Sequence, residues 1–116
     1  MPSLRDEALR DLEALIAGVD ELAEYLSSMR GSYIELQRIL EEGGSVAVAL
    51  RSVAADEARQ AMTAVLDDFE RRRHMSRLSL IAADLDEGST INEISRTWGI
   101  SRQLASRYVK AIRVGV

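Results

Sequence analysis

The chain has 116 residues, 47% of them hydrophobic, enough to build one compact unit or two small ones and too many for a disordered tail. It contains no cysteine, which excludes disulfides and thiolate metal sites. The net charge is −4, but it is unevenly spread. Residues 1–70 hold 6 Arg against 15 Asp and Glu, a net of −9; residues 71–116 hold 9 Lys and Arg against 4 Asp and Glu, a net of +5. Such polarity suggests an acidic body and a basic contact region.

Helix formers dominate throughout. The single proline, Pro2, lies where it breaks nothing, and no period-2 alternation argues for a strand. The expected fold is all-α: a helical bundle with a C-terminal helix-turn-helix. The start, "MPSLRDEALRDLEALIAG", is charged throughout, unlike a secretory signal. The apolar run "VAVAL" ends at Arg51, far short of a membrane span. A cytoplasmic location and no membrane association are expected.

The first helix is expected over about residues 3–30. Leu12, Leu15, Val19, Leu22, Leu26 and Met29 recur at spacings of 3 and 4, a heptad-like stripe that Leu9, Ile16 and Ala23 widen. Gly18 sits within it. Gly31 is a plausible stop, and Ser32 with Glu35 forms an S-x-x-E capping box for a second helix from about residue 33, ending at Gly43-Gly44. Ser45 caps a third helical stretch over about 46–74, interrupted near Ala55-Asp56, with Ala58, Met62, Val65, Leu66 and Phe69 as its apolar face. Leu78, Ile81, Ala82 and Leu85 form a further stripe that Gly88 closes. Residues 57–87 read as one helix, or as two broken near Met75 with Ser76 as the cap. Residues 1–75 are the expected dimerisation region and 76–116 the expected DNA-binding domain.

Function concentrates at the C-terminal end. Thr90 and Glu93 form a T-x-x-E capping box that opens a helix at about 91–98. Ile94 and Trp98 are its apolar pair. Gly99 supplies the left-handed turn, Ile100 plugs the corner, and Ser101 caps the next helix. At about 100° per residue, Leu104, Ala105, Tyr108, Val109 and Ile112 share one side of that helix. Arg102, Gln103, Ser106, Arg107, Lys110 and Arg113 share the other. After Glu93 no Asp or Glu occurs at all. A surface facing phosphates carries no carboxylate without repulsion. Arg suits guanine, Gln adenine, and Ser bases or phosphate.

The stretch "GISRQLASRYV", residues 99–109, is similar to the turn and recognition helix of bacterial helix-turn-helix repressors, especially the "G-V-S-x-Q-x-V-S-R-V-V" stretch of the lactose-repressor family. The resemblance covers residues 91–112. It implies that Arg102, Gln103 and Arg107 read bases and that Ser101 and Ser106 touch phosphate or base edges. Ser95 stands where Ala is usual, and Ala105 where Val is usual. With no sugar-binding domain beside it, the stretch resembles helix-turn-helix proteins in general, residues 76–87 acting as the support helix.

The expected function is sequence-specific binding of double-stranded DNA by a homodimeric bacterial transcriptional regulator, dimerised through its N-terminal helices. Its site comprises Arg102, Gln103, Ser106, Arg107, Lys110, Arg113, Ser101 and Thr90. Two alternatives stand beside it: an accessory DNA binder in recombination, plasmid partition or phage control, and an antitoxin-like adaptor that works through the acidic N-terminal helices. Nothing in the sequence marks a nucleophile elbow, a phosphate-cradling glycine loop or a histidine pair. No enzymatic activity, metal or cofactor is expected, and the residues argue for no particular small-molecule pocket or effector. The "RRR" at 71–73 is either a phosphate contact or a solvated face. Trp98 and Tyr108 are expected in the core.

Overall fold

The structure is a computed structural model that describes residues 2–113. It is all-helical: α1 (Leu4–Glu41), α2 (Val46–Ser52), α3 (Ala55–Asp86), α4 (Ile91–Trp98) and α5 (Arg102–Arg113), with no strand among the described residues. None of these helices is long and apolar enough to cross a membrane.

The chain gathers into two compact units. One holds residues 16–71; the other holds the described residues up to Leu15 and from Arg72 onward. By sequence the first unit carries 5 Arg against 11 Asp and Glu, a net of −6, and the second 10 Lys and Arg against 8 Asp and Glu, a net of +2. The acidic start of α1 thus belongs with the basic C-terminal helices, so the charge divides less sharply in space than along the chain.

α1 starts at a reciprocal cap. Ser3 Oγ accepts from the Asp6 amide at 3.1 Å, and Asp6 Oδ2 accepts from the Ser3 amide at 3.2 Å. Those bonds, the backbone one foremost, hold the Asp6 carboxyl below the usual range.

The stop expected at Gly31 does not occur; α1 runs through it. Three local facts explain the difference. Gly31 is exposed, with open space where a Cβ would sit, so nothing there demands a left-handed residue. Glu35, expected to fold back onto Ser32, is instead held by Arg38, whose Nε donates to it at 3.0 Å. Met29 is buried, and Ser32, Leu36 and Ile39 are half-buried, so one face continues across the glycine. A glycine costs a helix about 1 kcal/mol relative to Ala, less than packing on both sides returns.

Gly43, at φ +86°, ends α1, and Ser45 caps α2 by accepting from the Val48 amide at 3.1 Å. The break expected near Ala55-Asp56 lies at Val53–Ala54, where Ala54 takes φ +49°. Within this unit, Tyr25 Oη donates to the Ala58 carbonyl at 3.4 Å. Gly18 is buried and shares the wall of a small cavity with Ala64 and Val65. The same unit contains an apolar cleft of about 290 Å³, lined by Met29, Leu36, Leu50, Val53 and Met62.

α3 is one helix, unbroken through Met75 and Ser76. Ser76 is therefore no cap. It is buried within the helix, and its hydroxyl finds no partner among the described residues, a burial that costs about 1–3 kcal/mol.

Continuity of α1 leads to a stability test. Gly31→Ala should raise stability by about 0.5–1 kcal/mol in urea unfolding. A destabilisation of that size would mean that the helix ends at Gly31.

Candidate nucleic-acid interface

The C-terminal helices are held by one small core. Ile81 of α3, Ile94 of α4, and Ala105 and Val109 of α5 are each at most 1% exposed. Leu85, Ile91, Trp98, Ile100, Tyr108 and Ile112 pack around them. Ala105 fills the place where the resembled stretch has Val. With only a methyl group there, α5 seats close to Ile81 and Ile94.

Local bonds set the path from α4 to α5. Thr90 and Glu93 form the expected capping box: Thr90 Oγ1 accepts from the Glu93 amide at 3.2 Å, and Glu93 Oε1 accepts from the Thr90 amide at 3.0 Å. The bond from the Thr90 amide, foremost, holds the Glu93 carboxyl below its usual range. Its contribution is full above the ordinary glutamate range and is lost as pH falls through the lowered pKa. Gly99 adopts φ +63°, the left-handed conformation, and its amide donates to the Arg96 carbonyl at 3.3 Å. Ser101 Oγ accepts from the Leu104 amide at 3.1 Å and caps α5.

Ser95 has a role that sequence reasoning missed. Its hydroxyl donates to the Ile100 carbonyl at 2.6 Å, while the Ile100 amide donates to the Ser95 carbonyl at 3.1 Å. The two bonds clasp the turn from both sides. The only signal was the departure itself: a hydroxyl where the resembled stretch has a methyl group.

The expected site residues divide by exposure. Arg102, Gln103, Arg107, Lys110 and Arg113 are exposed, and Ser106 is half-buried at their edge. The opposite flank is buried at Ala105 and Val109 and half-buried at Leu104, Tyr108 and Ile112. The four cations have no ion pair with any described residue. Ser101 and Thr90 are exposed, and each hydroxyl keeps its hydrogen free to donate after accepting its cap bond. Thr90 sits beside the Glu93 carboxylate, which opposes an anion there, whereas no carboxylate lies on α5.

Behind α5, Arg77 of α3 lies over the Trp98 ring at 5.8 Å and the Tyr108 ring at 5.7 Å, and donates to Tyr108 Oη at 2.8 Å. Trp98 and Tyr108 thus sit half-buried against the core, braced by a guanidinium. The N-terminal end of α1 adds bonds to the same unit: Asp11 accepts from the Ser79 hydroxyl, the exposed Arg5 and Glu87 pair at 3.2 Å, and Arg72 donates to the Ala14 carbonyl at 3.0 Å. Arg72 of the "RRR" run is therefore engaged within the protein, and Arg71 pairs with Asp68 at 2.7 Å. No metal-binding group of three or more His, Asp or Glu occurs among the described residues.

The turn supplies a stability prediction. Gly99→Ala should cost about 1–2 kcal/mol through left-handed strain alone, since open space surrounds the added Cβ. Gly99→Asn should cost less, because Asn tolerates that conformation. Equal losses for both in thermal unfolding would contradict this account of the turn.

Compared with known proteins, the chain matches no family model, no curated protein and no solved structure. The likeness of residues 91–112 to helix-turn-helix repressors stands on those residues alone.

Proposed function

We propose that the chain is a sequence-specific DNA-binding protein, a homodimeric transcriptional regulator in which α4 and α5 act as a helix-turn-helix. The observation that carries the reading is the exposed flank of α5, with four cations that pair with no described residue, one amide over twelve residues and no Asp or Glu. A cationic flank that served solvation alone would gain from interspersed carboxylates; one that meets a polyanion would not.

The mechanism rests on the chemistry of each group. The major groove, about 12 Å wide, admits one α-helix. Arg102 and Arg107 present forked donors suited to guanine O6 and N7, and Gln103 presents the donor-acceptor pair suited to adenine. Lys110 and Arg113 neutralise phosphates, while Ser101, Ser106 and Thr90 offer hydroxyls to phosphate or base edges. Pairing through the N-terminal helices doubles the contacts and sets two half-sites about 34–36 Å apart or at multiples of that spacing. An accessory role in recombination, partition or phage control would use the same surface.

A second reading rests on a different observation. Val46, Val48 and Leu50 of α2 are exposed in the unit of net charge −6. They suit an adaptor that binds a protein partner through its acidic helices. It predicts a co-purifying protein and no duplex binding even at low salt.

A salt titration with variants separates the readings. Duplex affinity should fall by roughly 10³–10⁵ between 50 and 200 mM salt if 6–10 phosphates are contacted. Arg107→Ala should cost about 1–3 kcal/mol on the preferred duplex and relax its base preference, whereas Lys110→Ala should weaken all duplexes about equally. Unchanged affinity for Arg107→Ala, or binding indifferent to salt, would contradict the proposal.

A further inference from the structure

α1 carries two apolar seams, and only one is covered. The first runs through Ala8, Leu15, Gly18, Leu22, Tyr25, Met29, Leu36 and Ile39, all buried or half-buried. The second is displaced by one residue. It takes Leu9, Leu12, Ile16, Val19, Ala23, Leu26, Arg30, Tyr33, Gln37 and Leu40, at alternating spacings of 3 and 4. Nine of these ten are exposed, Ile16 at 61% and Tyr33 at 59%, and Leu12 is half-buried. A strict 3–4 repeat over four heptads is the pattern of a helix that meets another helix, and eight of the ten residues are apolar.

The occupant can be argued from the chain itself. We infer that this second seam pairs with the same seam of a second copy, and that the two α1 helices run antiparallel about a point between Ala23 and Leu26. This specifies the interface of the homodimer proposed above and does not depend on DNA binding. The seam spans 31 residue steps, about 47 Å. Helices about 10 Å across in contact over that length cover on the order of 1,000 Å² or more, where specific interfaces begin.

Side-chain pairing selects the direction. In a parallel pair Arg30 meets Arg30 of the copy, and Ala23 meets Ala23 across a void. In the antiparallel pair every seam position has a partner: Leu9 meets Leu40, Leu12 meets Gln37, Ile16 meets Tyr33, Val19 meets Arg30, and Ala23 meets Leu26. Large residues then face small ones at the centre. Arg30 lies one residue from Asp20 of the copy, so a cation gains an anion where the parallel pair sets cation against cation. The flanking Glu13 and Asp20 fall beside Ile34 and Ser27 of the copy, away from each other.

The absence of native cysteine makes cross-linking a clean readout. Full-length Leu9→Cys and Leu40→Cys variants would be mixed under reducing conditions and then oxidised. Disulfide-linked dimers should form in the mixture and not from either variant alone. Sedimentation equilibrium should show a dimer for the unaltered chain, and Ile16→Glu should weaken self-association at least tenfold with helix content unchanged, since Ile16 is exposed in the single copy. Efficient cross-linking of Leu40→Cys alone, a monomer at tens of micromolar, or an Ile16→Glu dimer of undiminished strength would overturn the inference. A monomer that still binds duplex DNA would overturn this pairing and leave α5 as the reader. A correctly cross-linked dimer that ignores DNA would do the reverse.

Discussion

One packing constraint organises the C-terminal end: α5 must bury Ala105 and Val109 against Ile81 and Ile94. All four side chains are essentially out of contact with water. A helix held by one flank cannot rotate without exposing that flank, at roughly 1.5–3 kcal/mol for each large side chain. The direction of Arg102, Gln103, Arg107, Lys110 and Arg113 is therefore set by residues that are themselves buried. The polar side chains are free to be chosen for the surface they meet, because they carry none of the packing.

The turn makes that constraint specific. Gly99 reverses the chain, Ser95 and Ile100 bond across it, and Ser101 caps α5. Each contribution is small, about 1 kcal/mol, yet together they fix where α5 begins and so the phase of its exposed flank. Arg77 braces the same assembly from behind, through two aromatic rings and a phenolic oxygen. A cation there performs structural work, while the cations on α5 form no ion pair among the described residues.

How much of this fold is legible in the residues depends on how local the cause is. The caps at Thr90, Ser101 and Ser45 and the reversal at Gly99 are short-range effects, and the structure has them at the expected positions. Gly31 and Ser32 carry equally local signals, and there the reading fails; near Ser76 the residues leave one helix or two open, and the structure has one. Helix continuity at those points is decided by what packs against the helix on either side, which no short window contains. The stripe on α1 shows the same limit. Leu15, Leu22 and Met29 look like neighbours of Leu12, Val19 and Leu26 in sequence, but the structure turns the first set inward and leaves Val19 and Leu26 exposed. Spacing alone showed one wide face where the structure has two seams. The role of Ser95 is not legible in the residues because its bond partner is a carbonyl five residues on, and a hydroxyl advertises no particular acceptor.

The central claim is that the carboxylate-free flank of α5 reads base edges. Selection of bound duplexes from a random pool, run in parallel with the unaltered chain and with Gln103→Ala, tests it most directly. The account predicts an enriched motif for the unaltered chain and loss of an adenine preference at one of its positions for Gln103→Ala. No enrichment, or the same motif from both proteins, would contradict it.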